Sequence, residues 1–80
     1  MSEERDLGVP QPTLRRLPSY LDVLKRLESE GAPRVSCPAI AAELGLDATQ
    51  VRKDIAMTGI EGRAKVGYRV PELIAAIERF

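Results

Sequence analysis

Residues 41–55 read AAELGLDATQVRKDI and are the most informative part of the sequence. It predicts two short helices joined by a tight turn at Gly45, since glycine adopts the positive φ of such a turn without strain. The second helix carries Arg52 and Lys53 away from its apolar residues, as a helix that reads DNA does. The stretch therefore predicts a helix-turn-helix.

The flanking segments predict two further helices and a wing. Apolar residues at three- and four-residue spacing predict a first helix that opens at Pro18-Ser19, and Arg34-Val35 is a candidate strand. Residues 63–70 predict a short basic hairpin, and Pro71 starts a last helix. The predicted fold class is mainly α (α+β): a winged helix-turn-helix with a three-helix core, a short β-hairpin wing and an extra C-terminal helix.

Capping residues predict where the two central helices begin. Ser36 is expected to cap the first of them and Asp47 the second. Gln50 follows Asp47 by three residues, so its side chain either reaches back in a capping box or bonds a DNA phosphate. The capping box is the favoured reading.

Length and composition allow one small domain. Residues 1–12 are rich in acidic residues, Gly and Pro and lack apolar spacing, so we expect a disordered N-terminal arm before a domain over residues 13–80. The net charge of the 80 residues is zero. Residues 47–70 carry +2 and residues 2–6 carry −2, a bias that by itself is more typical of a solvated surface.

The residue types present argue against several classes of protein. Cys37 is the only cysteine and the chain has no histidine, which excludes an internal disulfide and a zinc site. No signal peptide or membrane span is recognisable, so we expect a cytoplasmic protein. No nucleophile–base pair, metal cluster or phosphate loop is recognisable, so we expect that it is not an enzyme. Cys37 is either a half-buried structural residue or a reactive thiol, because a helix N-terminus lowers a thiol pKa.

The candidate DNA contacts share a polar or basic side chain on the recognition helix, the wing or the flank. They are Arg16, Thr49, Gln50, Arg52, Lys53, Arg63 and Lys65. Arg52 and Lys53 suit guanine and phosphate, and a basic wing tip suits the minor groove. For Arg52 and Lys53 the alternative is a solvated pair, and the helix-turn-helix context favours DNA. For Arg63, Lys65 and Arg16 an ordinary solvated charge stays an open alternative.

Three motifs carry a more specific likeness: LRRLPSYL at residues 14–21, LDATQVRKD at residues 46–54 and VGY at residues 66–68. From about Pro12 to Phe80 the chain resembles the N-terminal domain of the Rex family of redox-sensing transcriptional repressors. The resemblance implies a bacterial homodimer whose winged helices bind an inverted-repeat operator. It also implies a C-terminal Rossmann domain that senses NADH/NAD⁺ and releases DNA when NADH binds.

The resemblance assigns roles to particular residues. It implies that Arg52 and Lys53 are the basic residues of the recognition helix that contact DNA, and that Arg16 contacts DNA from the flank. It implies that Asp54 is a packing or orienting residue and does not contact DNA. Many members place Arg-Gly before the wing VGY. Here Ala64 and Lys65 stand there, so Arg63 or Lys65 is the candidate substitute.

The sensor part of the family has no counterpart in these residues. No Gly-x-Gly-x-x-Gly follows a strand, so we expect no cofactor in this chain and NADH/NAD⁺ only in the full-length family member. The sequence ends within an amphipathic helix, which suggests a fragment of a longer protein. We expect this fragment to be a monomer, unless the apolar residues of its last helix form a dimer interface, here called the dimer seam (Leu73, Ile74, Ile77 and Phe80). The alternative function is a winged-helix module that docks protein and not DNA.

Overall fold

The computed structural model describes residues 11–62 and 67–80, and these residues form four α-helices and one two-stranded sheet. The elements in chain order are α1 (Gln11–Ser29), β1 (Arg34–Val35), α2 (Cys37–Leu44), α3 (Ala48–Ala56), β2 (Tyr68–Arg69) and α4 (Val70–Arg79). This is the order of a winged helix-turn-helix followed by one more helix. The predicted fold class is confirmed.

The first helix begins earlier than its pattern predicts. α1 starts at Gln11, so the prediction that Pro18 opens it is wrong; Pro18 lies exposed inside the helix, where it cannot donate a backbone hydrogen bond. The helical turns before Pro18 are stabilised by tertiary contacts, since Thr13 in this part of α1 is buried. The arm predicted over residues 1–12 thus loses its last two residues to α1, and residues 1–10 lie outside the described residues.

The turn between α2 and α3 is built as its sequence predicts. Ser36 Oγ caps α2 by accepting from the Ala39 N–H at 3.2 Å, and Asp47 Oδ1 caps α3 by accepting from the Thr49 N–H at 2.7 Å. Gly45 ends α2 with a φ of 68°. These local bonds satisfy backbone groups at the helix ends and fix the angle at which α3 leaves the turn.

The core lies where α1 and α4 pack together over the helix-turn-helix. Its largest fully buried apolar side chains are Tyr20, Leu24, Ile40, Ile55, Leu73, Val51 and Val70. Ile74 and Ile77 are buried in the same cluster, whereas Phe80 is exposed. Burying each such side chain contributes roughly 1.5–3 kcal/mol. Three of the four apolar residues considered for a dimer seam are therefore core residues of this chain.

The sheet joins the two segments that flank the helix-turn-helix. β1 and β2 are antiparallel, with Val35 opposite Tyr68 and Arg34 opposite Arg69. β2 thus pairs with β1, which precedes α2 and α3 in the sequence. The tip of the predicted hairpin falls on residues 63–66, which lie outside the described residues.

Gly67 allows β2 to approach β1 closely. Its φ is 77°, in the region that favours glycine. A Cβ at this position would collide with the Val35 carbonyl oxygen and lie 3.0 Å from the carbonyl carbon. Because those atoms belong to the backbone, a side chain at residue 67 can be accommodated only if the strands move apart.

We expect Gly67→Ala to lower the free energy of unfolding by about 2 kcal/mol, since it adds a left-handed alanine and a backbone collision. Urea unfolding measures the loss. Gly31→Ala is the matched control, because Gly31 has a φ of 81° with open space around its Cβ position. Equal losses in the two variants would show that only backbone conformation matters and that the close approach does not.

Candidate nucleic-acid interface

One side of α3 presents three of the predicted contacts to solvent. Thr49, Arg52 and Lys53 are exposed, whereas Val51 and Ile55 are fully buried. Helical positions three and four apart share a face. Thr49, Arg52 and Lys53 therefore form a single polar surface, which we call the recognition face.

The recognition face carries positive charge that is open to a ligand. Within residues 11–62 and 67–80, the basic residues in ion pairs are Arg16, Lys25, Arg26 and Arg69. Arg52 and Lys53 form none with these residues. Their groups are thus available to a phosphate or to the edge of a base.

The opposite side of α3 is tied to α1 by a buried carboxylate. Asp54 is 1% exposed. Its Oδ1 accepts from Thr13 Oγ1 at 2.9 Å, from Arg16 Nη2 at 3.0 Å and from Gln50 Nε2 at 3.0 Å. Its Oδ2 accepts from Arg16 Nε at 2.6 Å and from the Tyr20 hydroxyl. We call these five residues the Asp54 cluster.

The Asp54 cluster contains two of the predicted DNA contacts. Gln50 does not complete a capping box with Asp47, and that prediction is wrong: its amide donates instead to Asp54, one turn further along the helix, where an ionised acceptor binds a donor more strongly. Arg16 donates two hydrogen bonds to Asp54, and the Arg16 side chain is 26% exposed. Its DNA contact stays a prediction.

The family resemblance implies a packing or orienting role for Asp54, but residue spacing alone did not predict its partners on α1. Asp54 stands between Val51 and Ile55 on the inward side of α3, and a carboxylate in such a position requires buried donors. Thr13, Arg16 and Tyr20 follow one another at helical spacing on α1. Together these two signals could have indicated the contact between the helices.

Hydrogen bonding keeps Asp54 ionised. Burial alone raises the pKa of a carboxyl, but donors from Arg16, Tyr20, Thr13 and Gln50 outweigh it and hold the pKa of Asp54 at about 2. The bond to Asp54 raises the pKa of Arg16, and burial followed by the same acceptor raises the pKa of Tyr20. At neutral pH the cluster therefore pairs a carboxylate with a guanidinium and a neutral phenol.

We expect this lowered pKa to appear as a loss of stability in acid. The folded-state pKa of Asp54 lies below its ordinary value of 3.8. Its contribution of about 2 kcal/mol is therefore complete above pH ~4 and is lost as the pH falls through ~2. Urea unfolding across this window measures it. Asp54→Asn should flatten the pH dependence, and Asp22→Asn, which changes an exposed carboxylate, should not; a full wild-type slope in Asp54→Asn would contradict the assignment.

Cys37, at the start of α2, is half-buried, as the structural reading of this residue predicts. Burial raises its pKa, and the neighbouring Tyr68 and the charge of Arg52 offset this only in part. The direction of this shift favours the structural residue over the reactive thiol. Cys37 lines a shallow cavity with Arg52 and Tyr68, so the start of α2, the recognition face and β2 adjoin one another.

The two predicted wing contacts, Arg63 and Lys65, lie outside the described residues. The residues on either side of them are in contact: a Cβ added to Gly62 would overlap the ring of Tyr68. This contact brings the two ends of the wing segment together, beside the cavity that Arg52 lines.

Two kinds of feature are not seen in the part of the chain that the structure describes. None of the helices there combines the length and the apolar character needed to cross a membrane. No group of three or more His, Cys, Asp or Glu side chains there is arranged to hold a metal ion.

Known proteins are similar to this chain in sequence. A family model described as "Putative DNA-binding protein N-terminus" matches residues 8–56. The redox-sensing transcriptional repressor Rex of Porphyromonas gingivalis is 44% identical over 75 residues, which are 94% of this chain and 34% of that protein. Rex of Treponema denticola is 51% identical over 69 residues, 86% of this chain and 33% of that protein. The chain belongs to the Rex family.

Solved structures show the same Rex-family fold. RSP in complex with β-NAD⁺ and operator DNA matches with a TM-score of 0.82 and 31% identity, over 89% of this chain and 33% of that one. RSP described as a Rex-family repressor matches with a TM-score of 0.77 and 31% identity, over 89% and 32%. The present Rex-family chain thus spans about a third of the length of its relatives, which are named transcriptional repressors and not enzymes.

Proposed function

We propose that this chain binds double-stranded DNA sequence-specifically, with the recognition face of α3 in the major groove. The exposure of Thr49, Arg52 and Lys53 on one side of that helix carries the proposal. Arg52 can bond guanine with two donors, and Lys53 can contact guanine or phosphate. Thr49 lies in the first turn, where hydroxyl and backbone N–H groups suit phosphate oxygens.

The basic residues around this face extend the proposed interface. We assign Arg63 and Lys65 to phosphates or to the minor groove beside the wing. Arg16 uses two of its five N–H donors on Asp54, and the remaining three can reach a flanking phosphate. Asp54 itself is buried and takes no part in direct contact with DNA.

The relatives support a wider role for the whole protein. Their printed names describe redox-sensing transcriptional repressors, and one solved relative holds operator DNA together with β-NAD⁺. We place this chain as the DNA-reading part of an NADH/NAD⁺-responsive repressor that binds an inverted-repeat operator as a homodimer in the bacterial cytoplasm. The dinucleotide site then lies outside these 80 residues, which carry no catalytic activity.

Salt titration of binding to a duplex selected from random sequence tests the proposal. We expect affinity to fall steeply with salt, and replacement of both Arg63 and Lys65 by Ala to flatten the slope by about two because two phosphate contacts are lost. Replacement of Lys25 in α1 and Arg79 in α4 by Ala makes the same change in charge elsewhere and should leave the slope unchanged. Absence of binding to any duplex would contradict DNA binding and favour a protein-docking module.

A further inference from the structure

The side chain of Gln50 has one defined orientation. An ionised carboxylate only accepts hydrogen bonds, so the group that faces Asp54 must be the amide nitrogen of Gln50 and not its oxygen. The Nε2 to Oδ1 distance is 3.0 Å, and the contact is partly buried. The carbonyl oxygen of Gln50 is therefore turned away from Asp54.

The Asp54 carboxylate is fixed by hydrogen bonds from α1, so it does not move with the Gln50 side chain. Thr13, Arg16 and Tyr20 bind it from α1, and Tyr20 is fully buried. Because α1 fixes the Asp54 carboxylate, the Gln50 amide that donates to it is also restricted in orientation. The rotation of the Gln50 amide is thus set by α1 through Asp54.

The outward groups of Gln50 suit a base better than a phosphate. Gln50 lies in the first turn of α3, next to Thr49 of the recognition face. Its amide keeps one carbonyl oxygen and one N–H for a ligand. A phosphate offers acceptors only and is poorly matched to an outward oxygen, whereas the major-groove edge of adenine offers a donor beside an acceptor.

We propose that Asp54 is a positioning residue for base recognition, which holds the Gln50 amide in the orientation that reads adenine in the major groove. The proposal rests on the proposed DNA binding, and it assigns to Gln50 a base in place of a phosphate. Asp54 acts only through Gln50 and touches no DNA.

Selection of bound sites from random duplexes tests the proposal with four proteins: wild type, Gln50→Ala, Asp54→Asn and the double variant, each corrected for its folded fraction. Wild type should prefer adenine at one position by about tenfold or more. Both single variants should lose that preference, and the double variant should lose nothing further. Asp22→Asn, which removes an exposed negative charge from α1, should keep it.

Gln50→Glu provides a second test that does not depend on the stability of Asp54→Asn. Gln50 is only half-buried, and glutamate keeps its size and an outward oxygen but places an acceptor against Asp54. We expect Gln50→Glu to fold and to lose the adenine preference. If it keeps the preference, the amide of Gln50 does not read adenine, because an ionised glutamate lacks the N–H that would donate to the base.

Two results would overturn the inference while leaving DNA binding intact. An even loss of affinity on all sequences in Gln50→Ala would place Gln50 on a phosphate. A change of base preference caused by Asp54→Asn in the Gln50→Ala background would show that Asp54 acts through α3 as a whole. Failure of the wild type to bind any duplex is a different result, because it refutes the proposed function first.

Discussion

Asp54→Ala is expected to lower the free energy of unfolding by about 3 kcal/mol or more, enough to leave a large part of this small domain unfolded. The substitution removes the acceptor for Thr13, Arg16 and Tyr20 at once. The fully buried Tyr20 hydroxyl cannot turn to water, and a buried donor without a partner costs about 1–3 kcal/mol. Arg16 is partly exposed, so water can accept its hydrogen bonds in the variant and offset part of the loss.

Urea unfolding followed by circular dichroism measures this loss. Asp22→Ala removes an exposed carboxylate from α1 and should change stability by no more than about 0.5 kcal/mol. Replacing Asp54 by Leu together with Arg16→Met and Tyr20→Phe should restore much of the stability, since apolar groups then need no partners. A loss in Asp54→Ala as small as that in Asp22→Ala would contradict the importance of the cluster.

Arg52→Ala is expected to weaken binding to the preferred operator by roughly 1–3 kcal/mol and to relax base preference at one position. Arg52 is exposed on the recognition face and forms no ion pair with the described residues, so its removal should leave the unfolding free energy almost unchanged. The effect thus separates recognition from folding.

Titration of wild type and Arg52→Ala against the selected duplex and its single-base variants measures both effects. Arg79→Ala is the matched control, since it removes an exposed arginine from α4 and should leave site preference as it is. An unchanged affinity and preference in Arg52→Ala would remove Arg52 from the interface.

Local signals made the helix-turn-helix predictable from sequence. Ser36, Gly45 and Asp47 act on backbone atoms within a few residues of themselves, and their roles follow from their own chemistry. The recognition face follows equally from helical spacing, because Thr49, Arg52 and Lys53 need only one helix to lie together. The DNA contacts of this face stay predictions.

Contacts between distant residues explain what sequence could not predict. Asp54 bonds Thr13 across 41 positions and Tyr20 across 34 positions of sequence. The bond to Thr13 stabilises the part of α1 that precedes Pro18. The same buried carboxylate accepts from Gln50, whose side chain therefore does not bond the N-terminus of α3. The pairing of β1 with β2 is likewise non-local, and nothing in the local sequence indicates that Tyr68 and Arg69 pair with a strand that precedes two helices.

The direct passage from β2 into α4 has a consequence for how affinity can be controlled. Arg69 ends the strand and Val70 starts the helix; Val70 is buried, and its N–H donates to the Pro33 carbonyl at 3.0 Å. With no connecting residue between them, strand and helix share no hinge. A displacement of α4 therefore moves β2 with it, and the proposed DNA affinity would follow the position of α4 rather than bending between β2 and α4.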